Sequence, residues 1–159
     1  MSAPDHTLIE LLHRTGRRVT PQRLLVHRVV SGRRTHLSAE QIHAAVAEQL
    51  PGTSVPTIYA TLDLLCELGL TRRVQAGGRT VLFDGHTAPH AHLACRRCGE
   101  VRDLDDSAPL GSLLRAARGT GFLADHADAV ISGLCDDCAR GRRPRSRGSA
   151  RVHTRSAKV

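Results

Sequence analysis

Apolar side chains recur every three or four residues in four stretches of the first half of the chain. Leu8, Leu11 and Leu12 set the spacing in residues 5–15, and Leu25, Val26, Val29 and Val30 set it in residues 20–31. Ala39, Ile42 and Val46 do so between Ser38 and about Gln49, and Ile58, Leu62, Leu65 and Leu68 do so after Ser54. A period near 3.6 places such residues on one face, so each stretch predicts an amphipathic helix. Polar residues punctuate them. Thr20-Pro21, Ser38 and Ser54 are helix starts, because a hydroxyl accepts from the orphan amides of a first turn and proline has no amide to lose there. "PGTS" at 51–54 separates the third helix from the fourth, and Gly69 ends the fourth. "LTRRVQAGGRTVLFD" then reads as two short strands joined around Ala76-Gly77-Gly78. Helices followed by such a hairpin predict a winged helix. Its third and fourth helices would form the helix-turn-helix, with the exposed start of the Ser54 helix in a major groove.

After Asp84 the pattern changes to short strand-like runs, "AHLAC", "EVRDL" and "DAVISGLC", with a helix-like "SAPLGSLLRAARG" between the last two. This predicts a second, smaller α/β unit joined through a short link near Gly85, and an α+β fold overall. No apolar run approaches the roughly 20 residues of a membrane helix and no export signal opens the chain, so a cytoplasmic protein without a membrane partner is expected.

The net charge of +8 points to a polyanion, and its distribution sharpens that. Eight of the 23 basic residues and none of the 15 acidic ones lie from Ala139 onward, in an Arg/Ser/Gly tail too polar to fold. Residues 1–80 carry ten arginines against six acids, whereas residues 81–138 carry five against nine. Arg17, Arg18, Arg23, Arg72, Arg73 and Arg79 flank the predicted reading helix, where phosphate contacts would set its register.

Five cysteines stand at 66, 95, 98, 135 and 138. Cys66 reads as a small core residue. The others form "CRRC" and "CDDC", and two C-x-x-C pairs can close a tetrahedral set of four thiolates on one zinc ion. Thirty-six residues separate the pairs, so the ion would staple the second unit. The alternative is redox chemistry, since C-x-x-C is also a thioredoxin-type signature. That chemistry needs one pair at a strand-to-helix junction, and both pairs here read as lying at strand ends. No nucleophile–histidine–acid arrangement appears, so the chain is not expected to be an enzyme. In "PHAHLAC", His90 and His92 are two apart on a predicted strand and face the same way, as two imidazole ligands of one ion should. Asp84 lies just before them and Asp103 ends the following strand.

"RVTPQR", "HLSAEQIH", "SVPTIYATLDLLCELGL" and "HAHLACRRCGEVRDL" with the later "CDDC" resemble the ferric uptake regulator (Fur) superfamily, most closely its peroxide-sensing PerR branch, over about residues 10–138. The resemblance implies a winged-helix DNA-binding domain over 1–84, a metal-binding dimerisation domain over 85–138 and a basic disordered tail over 139–159. It implies a homodimeric, metal-dependent repressor acting on a double-stranded, palindromic, A·T-rich operator. The zinc at Cys95, Cys98, Cys135 and Cys138 would be structural. A regulatory Fe(II) or Mn(II) would sit at His36, Asp84, His90, His92 and Asp103, with His36 the ligand from the DNA-binding side. Three imidazoles and two carboxylates make a site harder than the thiolate one, as those two ions require. Aspartates at 84 and 103 match the peroxide branch, where glutamates are the tendency in the iron-uptake branch. An ancillary third site would need ligands at Pro89, Ala91 and Leu110, and only His126 matches it. Arg18, Thr20, Gln22, Arg23, Ser54, Thr57 and Tyr59 are the implied DNA contacts, with Arg18 suited to a narrow minor groove. Ala60 departs from the family, which commonly has arginine after the reading-helix tyrosine. With iron bound, peroxide would oxidise His36 or His90 and open the dimer. The alternatives are an iron-, nickel- or zinc-uptake repressor of the same superfamily and, more remotely, a cysteine-based redox protein.

Overall fold

A computed structural model describes residues 3–32, 36–75, 80–88, 90–104, 110–125 and 127–142. The hairpin turn at Ala76-Gly77-Gly78, Arg79, Pro89, His126 and the tail beyond Arg142 lie outside the described residues. The four predicted helices form as α1 (Ala3–Arg14), α2 (Pro21–Ser31), α3 (Ala39–Ala47) and α4 (Val55–Glu67). Each predicted cap is made. Thr20 Oγ1 accepts from the Arg23 amide at 3.3 Å, and Ser54 Oγ accepts from the Thr57 amide at 3.4 Å. Ser38 goes further: its hydroxyl accepts from the Gln41 amide while Gln41 Oε1 accepts from the Ser38 amide, a reciprocal capping box.

The helical spacing becomes one core. Leu8, Leu12, Val26, Val30, Ile42, Val46, Ile58, Leu62 and Leu65 are all essentially inaccessible and pack together with Phe83. Burial of each such side chain contributes roughly 1.5–3 kcal/mol. The sequence pattern did not foresee that α1 is also pinned by charge. Asp5 is fully buried and accepts two bonds from Arg28, at 2.8 and 2.9 Å, a fork geometry that satisfies both carboxylate oxygens.

The wing has three strands, β1 (Leu37–Ser38), β2 (Arg72–Val74) and β3 (Leu82–Asp84), in the antiparallel order β1-β3-β2. β1 was not anticipated, because two residues are too few to show a period. Its pairing of Leu37 with Phe83 and Ser38 with Leu82 brings the segment ahead of α3 alongside the end of β3.

The second sheet contains β4 (Ala91–Cys95), β5 (Val101–Leu104) and β6 (Ala129–Gly133) in the order β5-β4-β6. β4 pairs antiparallel with β5 and parallel with β6. A parallel pair needs a long crossover, and the chain between β5 and β6 carries α5 (Leu110–Gly119). A short α6 (Asp136–Ala139) follows, closed by bonds from the amides of Arg140, Gly141 and Arg142 to the carbonyls of Asp136, Cys138 and Asp137. Ala139, counted with the tail from composition, ends this helix, and the amides of residues 140–142 close it.

The two sheets meet through Gly85. A β-carbon built there would lie 2.7 Å from the Val30 carbonyl oxygen and 2.9 Å from the Ser31 α-carbon, so the link hugs the end of α2. Gly85→Ala should therefore displace the backbone on both sides of it. Thermal denaturation should show a loss of about 1–3 kcal/mol, the usual cost of overpacking, and an unchanged midpoint would show that the link has slack. Among the described residues no helix is long and apolar enough to cross a membrane.

Candidate metal centres

His36, Asp84, His90, His92 and Asp103 offer one ligand atom each, and these five atoms all lie within 4.8 Å of one another. The strands explain the convergence. Leu37 pairs with Phe83, so one step further along the same antiparallel register sets His36 against Asp84. His92 and Asp103 are direct partners across β4 and β5. His90 precedes β4 and shares the His92 face. His90 Nε2 lies 3.1 Å from Asp84 Oδ2, and His36 Nε2 lies 3.2 Å from Asp103 Oδ1. The His36, His90, His92 and Asp84 side chains are at most 4% exposed, and Asp103 is 22% exposed.

Proximity here is not hydrogen bonding. The three Nε2 atoms, Asp84 Oδ2 and Asp103 Oδ1 are all buried without a hydrogen-bond partner. A buried polar atom left unpaired costs roughly 1–3 kcal/mol, so these five, with the likewise unpartnered Nδ1 atoms of His36 and His92 beside them, need an explanation. Lone pairs aimed at a shared point fit a cation, and the mixture of imidazole and carboxylate suits a borderline or hard divalent metal. At two of the ligands, His90 and Asp84, the outer groups fit this. His90 Nδ1 is 2.8 Å from the Ala88 carbonyl, which makes Nδ1 the protonated nitrogen and leaves Nε2 free to ligate. The His86 amide donates to Asp84 Oδ1 at 2.8 Å and leaves Oδ2 facing the cluster.

Electrostatics also favour the ligating states. Burial lowers the His36 pKa, and although Asp84 and Asp103 oppose it, the neutral imidazole prevails. For Asp84, burial pulls the pKa up but is outweighed by His92, the His86 amide, His36 and His90, so the carboxyl stays below its usual range.

The second cluster is Cys95, Cys98, Cys135 and Cys138, whose sulfurs also lie within 4.8 Å of one another. All four are free thiols, with Cys98 Sγ and Cys135 Sγ 3.7 Å apart. The parallel register that matches Cys95 with Gly133 carries the chain on to Cys135, whose amide donates to Cys95 Sγ at 3.3 Å. Arg97 Nη1 donates to the Cys138 carbonyl at 3.0 Å and ties the two pairs together. Hydrogen bonds from the amides of Cys135 and Cys98 pull the Cys95 pKa down to about 6, while burial pushes Cys138 up to about 12. One expectation needs correcting. Cys135 caps α6, so this pair stands at a strand-to-helix junction and not simply at a strand end. What speaks for a metal is the convergence of all four sulfurs. Cys66 is only half-buried, packs against the first core, and has its thiol pushed up by that burial.

The residues expected to meet DNA lie in and just ahead of the first turns of α2 and α4, some exposed and some half-buried. Arg18 is exposed and its carbonyl accepts from the Arg23 guanidinium. Thr20 spends its hydroxyl on its cap, and Gln22 is half-buried. Ser54 and Thr57 bond to each other at 2.9 Å; Tyr59 is 43% exposed, with its hydroxyl 3.3 Å from Glu40. Arg17 pairs with Glu67 and Arg73 with Asp63, so these two are held by acids on α4. Across the second unit, Leu93 and its register partner Ile131 are exposed on one face of the sheet, with Leu134 just beyond β6; Val130, next to Ile131 in the strand, points to the opposite face.

Three comparisons bear on this geometry. The family model described as "Ferric uptake regulator family" matches residues 14–128. The transcriptional regulator FurA of Mycobacterium tuberculosis is 34% identical over 139 residues, covering 87% of this chain and 92% of its own length. The peroxide operon regulator of Bacillus subtilis is 33% identical over 137 residues, covering 83% of this chain and 91% of its own. The structure of the Helicobacter pylori ferric uptake regulator superposes with a TM-score of 0.74 at 19% identity, over 87% of this chain and 95% of that one; its description speaks of three functional metal-binding sites in that protein.

Proposed function

The chain belongs to the ferric uptake regulator family and is a metal-responsive transcriptional regulator, and from that premise we propose that it is a homodimeric repressor that senses peroxide. In this reading Cys95, Cys98, Cys135 and Cys138 hold a structural Zn(II). His36, Asp84, His90, His92 and Asp103 hold a regulatory Fe(II) or Mn(II). The observation that carries the reading is the set of five unpaired ligand atoms, buried and converging from both sheets.

His36 and Asp84 belong to the winged-helix side, while His92 and Asp103 lie in the second sheet and His90 leads into it. A cation gripped by all five restrains the wing relative to the dimer-forming unit and holds two reading helices at a separation that suits a palindromic, A·T-rich operator. The preference for that state can be no larger than the ion's differential affinity for it. The exposed Leu93, Ile131 and Leu134 supply apolar surface for the homodimer. Exposed Arg18 supplies a charge for a narrow minor groove. When bound, Fe(II) supplies the electron that converts hydrogen peroxide into an oxidant beside the ligands. The chain's part is to keep His36 and His90 within reach of it and shielded from bulk water. Oxidation of either imidazole removes a ligand and frees the wing. Two aspartates, with no thiolate, keep this site distinct from the zinc site.

The test compares Fe(II)-loaded and Mn(II)-loaded protein after micromolar-range peroxide, by peptide mass spectrometry alongside operator binding. An added oxygen on His36 or His90 with iron only, together with lost operator binding, is the expected result. No modification with either metal would instead favour a regulator of the same family that responds to metal level.

A further inference from the structure

His86 is not one of the five converging residues, yet its imidazole lies face to face with that of His90, ring centroids 4.5 Å apart and planes 17° from parallel. We propose that His86 is a positioning residue for the His/Asp centre, a flat backstop that fixes the plane of the His90 ring and so aims its Nε2. The inference rests on the metal-binding reading above.

His90 is otherwise held by one hydrogen bond, from Nδ1 to the Ala88 carbonyl, and by an edge contact with His92 at 4.4 Å and 61°. A single hydrogen bond sets the tautomer, but the final torsion of a histidine is broad, so the ring can still rock about it. Rocking swings Nε2 away from the point that the other four ligands define. With His86 on one side and the edge contact with His92 as well, the ring loses that freedom. Outer groups that orient a metal-bound imidazole in this way typically govern affinity by 10- to 100-fold.

The local backbone explains why residue 86 can do this. Gly85 admits no side chain against Val30 and Ser31, so the chain runs close against the end of α2 just after Asp84. The next residue places its amide on Asp84 Oδ1 and its ring on His90. One residue thus supports two ligands through two different groups. The amide survives any substitution except proline, so changing the side chain isolates the stack. What the ring offers is its face, and phenylalanine should serve in its place.

The experiment titrates Mn(II) into zinc-loaded full-length wild type, His86→Ala and His86→Phe, reading free Mn(II) by electron paramagnetic resonance. His86→Ala should bind Mn(II) roughly tenfold or more weakly. His86→Phe should stay near wild type, and all three should keep equal zinc and equal Mn-free melting temperatures. Wild-type affinity in His86→Ala would overturn the proposal. So would a His86→Phe protein as weak as His86→Ala, because a ring nitrogen and not the face would then be what matters. A wild type that takes up no Mn(II) would bring down the metal-binding reading itself, and the proposal with it.

Discussion

Cys138→Ser is expected to emerge from purification without zinc and with its second sheet unfolded. Cys138 is 2% exposed and packs inside the four-sulfur cluster. Among the described residues the second unit has little else to hold it: its buried apolar residues there are Ala91, Ala94, Cys95, Leu110, Ala124 and Cys138, of which Leu110 alone is large. Structural zinc sites contribute roughly 10–16 kcal/mol in small folds, as much as the whole stability of a typical domain, about 5–15 kcal/mol. Elemental analysis should fall from one zinc per chain to near none, and amide hydrogen exchange should rise throughout β4, β5 and β6 while α1–α4 stay protected. Full zinc with native exchange would defeat the four-thiolate assignment. A pH dependence follows with the same sign. Cys138 keeps its proton up to about 12 without a cation, so zinc must displace that proton, and acidification should weaken zinc binding in the wild type.

His36→Ala should abolish the metal dependence of operator binding and leave zinc content unchanged. In the proposed centre His36 would be the ligand contributed by the segment between α2 and β1, and its Nε2 lies 3.2 Å from Asp103 Oδ1 across the junction. Removing it leaves the centre four ligands and loosens the hold on the wing. The fold should survive, because β1 pairs with β3 through backbone and Leu37, and one fewer buried unpaired imidazole is no loss to the metal-free protein. Allosteric couplings typically amount to about 5–150-fold, and the mutant should lose that whole factor. Fluorescence anisotropy with a palindromic duplex, with and without Mn(II), measures it. A mutant that still gains DNA affinity on adding Mn(II) would show that no ion bridges the two units through His36.

The reading of the chain was strongest where the signal is local. Thr20-Pro21, Ser38 and Ser54 mark helix starts whatever lies elsewhere, because the capping bonds span three residues. Two cysteine pairs declare a four-sulfur centre through composition and spacing, and His90 and His92 share a face by the two-residue period of a strand. The partnership of His36 was different: it came from likeness to a family, since no periodicity links position 36 to positions 84 and 103.

Tertiary structure alone supplied the rest, in each case because a short element or a long separation leaves no pattern. Two residues of β1 set the register that carries His36 to Asp84. Arg17 and Arg73, basic residues beside a reading helix, turn out to be engaged by Glu67 and Asp63. Nothing in the sequence pattern singles out His86, whose ring the fold stacks on His90 just after a glycine pressed against α2. The sequence by itself determined the helices, the caps and the kinds of ligand present, all governed by contacts within a few residues. Which ligands face one another was decided by strand register and by the parallel pairing of β4 with β6, where hydrogen bonds between distant segments specify positions to a single residue.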